Sequence, residues 1–293
     1  LKLFYYKGQI QNFGDDINPW IWDNVLPNFF DDDDSELFMG IGSILYDSLP
    51  ENKKKIVFGS GYGGYSAVPK INDSWKFHFV RGKLTAKALG IDEKLAVGDG
   101  AILIRSCIDI RSPVKKHKVS FIPHWESTLY GAWDKVCAHA GINYIDPCLS
   151  THETLNAILE SEFVITEAMH GAIVADAVRT PWIAIRPIQP EHHMKWHDWV
   201  SVLDVELKPF SIPGSSATEW LTGNFHANKK FVGKVRSKNR YINRFFPQAF
   251  IESASRELAK IAKYAPTLST DRSIETAHER MLEKVHELKS IYA

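Results

Sequence analysis

The stretch Phe163-Val-Ile-Thr-Glu-Ala-Met-His-Gly-Ala-Ile-Val-Ala-Asp176 decides the fold. Glu162 to Thr166 is a short β-branched and aromatic run that reads as a strand, and His170 to Val178 continues without a breaker as a helix. Strand therefore passes almost directly into helix, with Glu167 and His170 at the turn. In open α/β sheets ligands bind beyond the carboxyl ends of the strands, which makes that turn a candidate site. Gly171, Ala172 and Ala175 let the helix approach a ligand or the sheet closely, and its free N–H groups and dipole favour an anion. On these residues alone, a capping His beside a structural Glu remains the alternative.

The same alternation spreads outward. Strands are predicted at Lys118–Pro123, Ile142–Asp146 and Pro181–Arg186, with a helix from Trp133 to Ala140 stopped by Gly141. Ser150 and Glu153 form a capping box for a helix through Ser161. Towards the N-terminus, strands are predicted at Leu1–Tyr6, Glu36–Gly42, Lys55–Gly61, Trp75–Arg81 and Glu93–Gly98. Asn18-Pro19 reads as a helix start running to about Leu26, and Lys83–Leu89 as a helix closed by Gly90. The polar stretch Arg111–Lys116 fits a boundary. The last helix carries one apolar stripe, Ile274, Ala277, Met281, Val285 and Leu288. The expected class is α/β: two Rossmann-like domains, 1–113 and 114–246, with a helical C-terminal tail, 247–293.

Composition excludes more than it selects. Across 293 residues, 35 Lys+Arg cancel 35 Asp+Glu, so nothing points to non-specific nucleic-acid binding. Cys107, Cys137 and Cys148 are too few for a disulfide framework or a zinc ribbon. No apolar run reaches the length of a membrane span, so a cytoplasmic protein is expected, with at most peripheral membrane contact through its helical tail. Asp31–Asp34 reads as a solvated loop, and His193 with His197 lacks the third ligand of a metal helix, so no metal is expected. Arg81 and Arg186 each close a strand and suit a carboxylate or phosphate, and Lys195 with His193 suits an anion. The Gly40/Gly42 and Gly59/Gly61 turns lack dinucleotide spacing, and the tryptophans, Trp20 and Trp125 among them, read first as packing.

Several of these pieces together resemble one family. Asn12-Phe-Gly-Asp-Asp-Ile-Asn-Pro-Trp20, Gly59-Ser-Gly61, Val80-Arg81-Gly82, Pro123-His124, Thr166-Glu-Ala-Met-His-Gly-Ala-Ile-Val-Ala-Asp-Ala177 and His193-Met-Lys-Trp196 look like the polysaccharide pyruvyltransferases. The nearer likeness is to the ketal-pyruvate transferases of exopolysaccharide synthesis, over about residues 1–205. The resemblance implies a GT-B-like fold with the active site between the domains, acceptor on the first and donor on the second. It implies phosphoenolpyruvate as donor and a sugar with two hydroxyls, on a lipid-linked oligosaccharide, as acceptor, with no metal or nucleotide. It implies His170 as acid/base, with Asp15 and Glu167 serving the acceptor hydroxyls. Arg81, Arg186, His193, Lys195 and Gly171 fall on the donor side, and Asn12, Asp16, Trp20 and His124 on the acceptor side. Ala168 stands where many members have an Arg, so that residue's role has no carrier here. A nucleotide-sugar glycosyltransferase of the same fold and a non-catalytic sugar-binding protein are the rival readings.

Overall fold

Two parallel sheets carry the chain, and the computed structural model describes residues 1–109 and 114–292. The first sheet holds β1 (Lys2–Leu3), β2 (Glu36–Met39), β3 (Lys54–Phe58) and β4 (Trp75–Phe79), in that order. The second holds β5 (His117–Ile122), β6 (Asn143–Tyr144), β7 (Ser161–Thr166) and β8 (Trp182–Ala184), in the order β6-β5-β7-β8. The helices are α1 (Phe13–Val25), α2 (Lys83–Leu89), α3 (Trp125–Tyr130), α4 (Trp133–Ala140), α5 (Thr151–Leu159) and α6 (Met169–Ala177). They continue with α7 (His193–Val200), α8 (Ala217–Asn224), α9 (Lys229–Ser237), α10 (Asn239–Ile242), α11 (Pro247–Ile261) and α12 (Asp271–Tyr292). None is long and apolar enough to cross a membrane. The expected boundary at Arg111–Lys116 falls partly on residues 110–113, outside the described residues.

The second half follows its sequence closely. Ser150 and Glu153 make the reciprocal bonds of a capping box at the start of α5, and Gly141 ends α4 at φ 67°. The end of β7, Val164, Ile165 and Thr166, is buried throughout, as a strand covered on both faces must be. The first half departs from the expected alternation. Loops rather than helices join β2 to β3 and β3 to β4. The strand expected at Glu93–Gly98 is a 3-10 turn, Glu93–Leu95, because the Asp92 side chain accepts from Lys94 N and turns the backbone; only Ala96 bridges back, to Val80.

Helix α1 begins six residues before the expected Asn18-Pro19 start. Asn12 caps it, and Pro19 lies inside. Proline removes the N–H that would bond the Asp15 carbonyl, and Asn18 Nδ2 takes that carbonyl instead at 3.0 Å. The same side chain donates to Ile41 O and accepts from Ile41 N, so it also pins the loop after β2 against α1.

One hydrophobic core runs through both halves. Phe13, Ile17 and Trp22 of α1 join Phe38 and Phe58 of the first sheet, Val164 and Ile173 of the second half, and Ile274, Met281, Val285 and Leu288 of α12. The C-terminal helices are thus no separate tail. Helix α11 packs on α4 through Ile251 and Leu258, whereas α12 returns to the first half, where Arg280 bonds Lys94 O and Tyr292 bonds Glu36.

A fully buried ion pair joins the halves: Arg81 Nε lies 2.8 Å from Asp198 Oδ2 on α7. Thr85 completes the carboxylate through its N–H and hydroxyl, and Arg81 also donates to Ser43 Oγ and Tyr62 O. Removing one member of such a pair strands the other charge, at a cost of about 3–5 kcal/mol. Asp198→Ala is expected to lose that much unfolding free energy in urea, against less than about 1 kcal/mol for Lys116→Ala, which breaks the exposed pair with Glu160. Equal losses would show that the buried pair has no special weight.

Candidate active site

Loops following β1, β2, β3, β5, β7 and β8 converge on a cavity of about 270 Å³. Both sheets therefore turn strand carboxyl ends towards it. His170 reaches it from the first turn of α6, and Asn12 and Asp15 from the start of α1. Asn12 Nδ2 donates to Asp15 Oδ2 at 2.6 Å. Burial raises the Asp15 pKa above the usual carboxylate value, and His170, Asn12 and Lys195 oppose that rise.

The His170 ring fits a slot. A Cβ on Gly14 would stand 2.4 Å from Nδ1, so only glycine lets α1 lie this close. Behind the ring, His170 Nε2 lies 3.7 Å from Oδ2 of Asp99, a wholly buried carboxylate whose Oδ1 accepts from Ala101 N. Among the described residues neither facing atom has a hydrogen-bond partner. Asp99 belongs to the first half and His170 to the second.

The opposite wall carries Lys195 and several hydrogen-bonding side chains. Tyr65 OH and His192 Nδ1 are 2.8 Å apart, and the His124 and His192 rings lie 4.5 Å apart. Burial, with the charge of nearby Arg81 adding to it, brings Lys195 down to about 8. Burial likewise holds both His124 and His192 below the ordinary imidazole value. Burial alone would raise the Glu126 carboxyl, but His192 and Arg236 together hold it low. His124, Glu126 and His192 bring ligand atoms within 4.8 Å of one another, a spacing a metal ion would accept. Arg236 donates to Glu126 of that trio at 3.0 Å, and the charges of Lys195 and Arg236 help hold His124 below the ordinary imidazole value.

Residues 9–187 match the family description Polysaccharide pyruvyl transferase. The chain belongs to that family. A relative, Succinoglycan biosynthesis protein ExoV of Rhizobium meliloti, is 38% identical over 222 residues, covering 75% of this chain and 70% of that protein. The span matched to the family contains Asn12, Asp15, Tyr65, Asp99, His124 and His170 and stops short of His192 and Lys195.

In this pyruvyltransferase the cavity gathers His170, Asp15, Asn12, His124 and Lys195 of the expected site residues, and leaves the rest outside. Arg81 is corrected to a joint between the halves: it is buried, and each of its three guanidinium nitrogens is already engaged. Arg186 is exposed after β8, outside the cavity lining. His193 bonds Pro187 O at 2.9 Å, and its neighbour His192 takes the cavity position. Glu167 is buried and accepts from His124 N and Ile188 N, tying together the loops that follow β5 and β8. Gly171 packs on Thr166, where a Cβ would stand 2.6 Å from Oγ1. Asp16 accepts from Asn12 N at the start of α1, and Trp20 packs against the core.

Sequence reasoning passed over His192, Tyr65, Glu126 and Asp99. One signal was available: His192 and Lys195 are three apart and share a helix face, which His193 and Lys195 do not. Lys195 yields a testable sign. Its native pKa of about 8 lies below the ordinary lysine value of 10.5, so the native state holds fewer protons between those values than the unfolded chain. The stability gained by Lys195→Met over the wild type should be fullest below pH 8 and shrink as pH rises towards 10.5. Unfolding curves across that range check it, and a pH-independent difference would contradict it.

Proposed function

We propose that this pyruvyltransferase takes phosphoenolpyruvate as donor and builds a cyclic pyruvate ketal on two hydroxyls of a sugar in an exopolysaccharide repeat unit. The observation that carries this reading is one cavity with His170 and Asp15 on one wall and Lys195, His192 and Tyr65 on the other. The relative's role in succinoglycan biosynthesis supports the acceptor class.

The chemistry divides between the two walls. Protonation of the donor's methylene carbon makes a methyl group and leaves a cationic centre at C2. A sugar hydroxyl attacks C2 and gives up its proton, and phosphate departs. The second hydroxyl then closes the ring, and its proton leaves with the phosphate. His170 is the acid/base for these transfers, and Asp15, whose pKa burial raises, takes a hydroxyl proton. Lys195, Tyr65 and His192 hold the phosphate and carboxylate, and Asn12, His124 and Trp125 line the acceptor side. In this frame 1–113 is the acceptor domain and 114–246 the donor domain of a GT-B-like enzyme acting on a lipid-linked acceptor in the cytoplasm, with no metal or nucleotide used. Thermal shift by phosphoenolpyruvate but not by nucleotide sugars is the outcome that separates it from a glycosyltransferase.

His170→Asn should lower turnover by ~10²–10⁴, the usual worth of general acid–base assistance, with donor affinity and melting temperature nearly unchanged. Near-normal turnover in a folded variant would remove His170 from the mechanism.

Asp99 positions His170 in the same scheme. A contraction of less than about 1 Å makes the Asp99–His170 contact a charge-assisted hydrogen bond, which sets the tautomer with Nδ1 free. Asp99→Asn tests this cleanly. The Ala101 N–H needs an oxygen at Oδ1, so the amide nitrogen must face His170 Nε2 and impose the opposite tautomer. We expect kcat to fall at least ~100-fold with KM and melting temperature held. The double variant should be no slower than His170→Asn alone. If His170→Asn is inactive and Asp99→Asn is not, Asp99 is only a cap.

A further inference from the structure

We infer that residues 229–246 form a docking surface for an anionic lipid bilayer. The sequence has no Asp or Glu between Glu219 and Glu252, yet Lys229, Lys230, Lys234, Arg236, Lys238, Arg240 and Arg244 fall in that interval. Because the whole chain is neutral, everything outside this segment is net negative by seven. Charge has been concentrated in one place.

The structure leaves most of it unpaired. Helix α9 buries Val232 and Val235 and exposes Lys230 and Lys234. Lys229 pairs with Glu191 and Arg236 with Glu126. Lys230, Lys234, Lys238, Arg240 and Arg244 are exposed and have no carboxylate partner among the described residues.

Aromatic side chains stand among these cations. Tyr241, Phe245 and Phe246 are 66%, 64% and 78% exposed. Phe246 sits at φ 51°, a left-handed conformation costly for a bulky residue, directly before Pro247 opens α11. Two adjacent phenylalanines held in water contribute nothing to the core.

A polyanion alone would answer the lysines and arginines but not the two phenyl rings. A bilayer of anionic lipid answers both, with headgroup phosphates for the cations and an interfacial apolar layer for the rings.

The segment is tied to the active-site wall. Arg236 grips Glu126 and Lys229 grips Glu191, the carboxylates beside His192. Docking would set the cavity next to the membrane, and by this segment rather than by the C-terminal helices. The inference does not depend on which donor or sugar the cavity takes.

The test is co-sedimentation of the full chain with vesicles of phosphatidylcholine alone or mixed with phosphatidylglycerol. Binding should require the anionic lipid and fall with salt. Lys230→Ala with Lys234→Ala should weaken it about 30-fold, at roughly a factor of five for each lysine near the surface. Phe245→Ser with Phe246→Ser should abolish whatever binding survives high salt. Neither pair touches the cavity, so turnover on a soluble acceptor should stay at the wild-type level. Equal binding to neutral vesicles, or no effect of the lysine pair, overturns the inference. So does tighter binding to a single-stranded oligonucleotide than to vesicles. A dimer in ultracentrifugation that the phenylalanine pair converts to monomer also overturns it, assigning the patch to a second copy of the chain.

Discussion

A guanidinium and a carboxylate removed together from water must satisfy each other completely, and Arg81 with Asp198 does so across the two halves. Thr85 fills the lone pairs that Arg81 leaves on the carboxylate, and Ser43 and Tyr62 take the remaining guanidinium donors. Those partners are also what place the cavity. Ser43 lines it, and Asp198 lies on the helix that carries Lys195. The residue that looked like a free anion anchor from its strand-end position instead sets the distance between the two walls. Its charge is felt in the cavity through Lys195, whose protonated form it disfavours.

The cavity depends on this joint because each half supplies only part of its lining. The first half contributes Asp15, Tyr65 and Asp99, and the second His170, His192 and Lys195. Two of the contacts that define the site, Tyr65 with His192 and Asp99 with His170, each cross between halves. A shift in the relation of the sheets therefore moves both contacts together.

Local chemistry was legible wherever it was local. The capping box at Ser150, the glycine stops at Gly90 and Gly141, and the β7–α6 turn presenting His170 all follow from neighbours in sequence. Helix α1 misled because Pro19 reads as a start, and nothing nearby shows that Asn18 would supply the missing donor. Arg81 and Glu167 misled for a different reason: strand-end position predicts nearness to the site, not whether the side chain is already consumed by the fold. Asp99 had no local signal. Its value comes from a contact with a residue 71 positions away, made only when the halves close.

Helix α12 changes what kind of folding unit this is. The chain has left the first half by β5 and returns to it with α12, which seats Ile274, Met281, Val285 and Leu288 in the shared core. Residues 274–288 follow the whole second half in sequence and yet help complete the interior of the first, so the first half cannot reach its final packing before α12 is made. It must wait, with its apolar face open, until the second half is formed. The shared core couples the two halves, and the first half's exposure to aggregation lasts until α12 is in place.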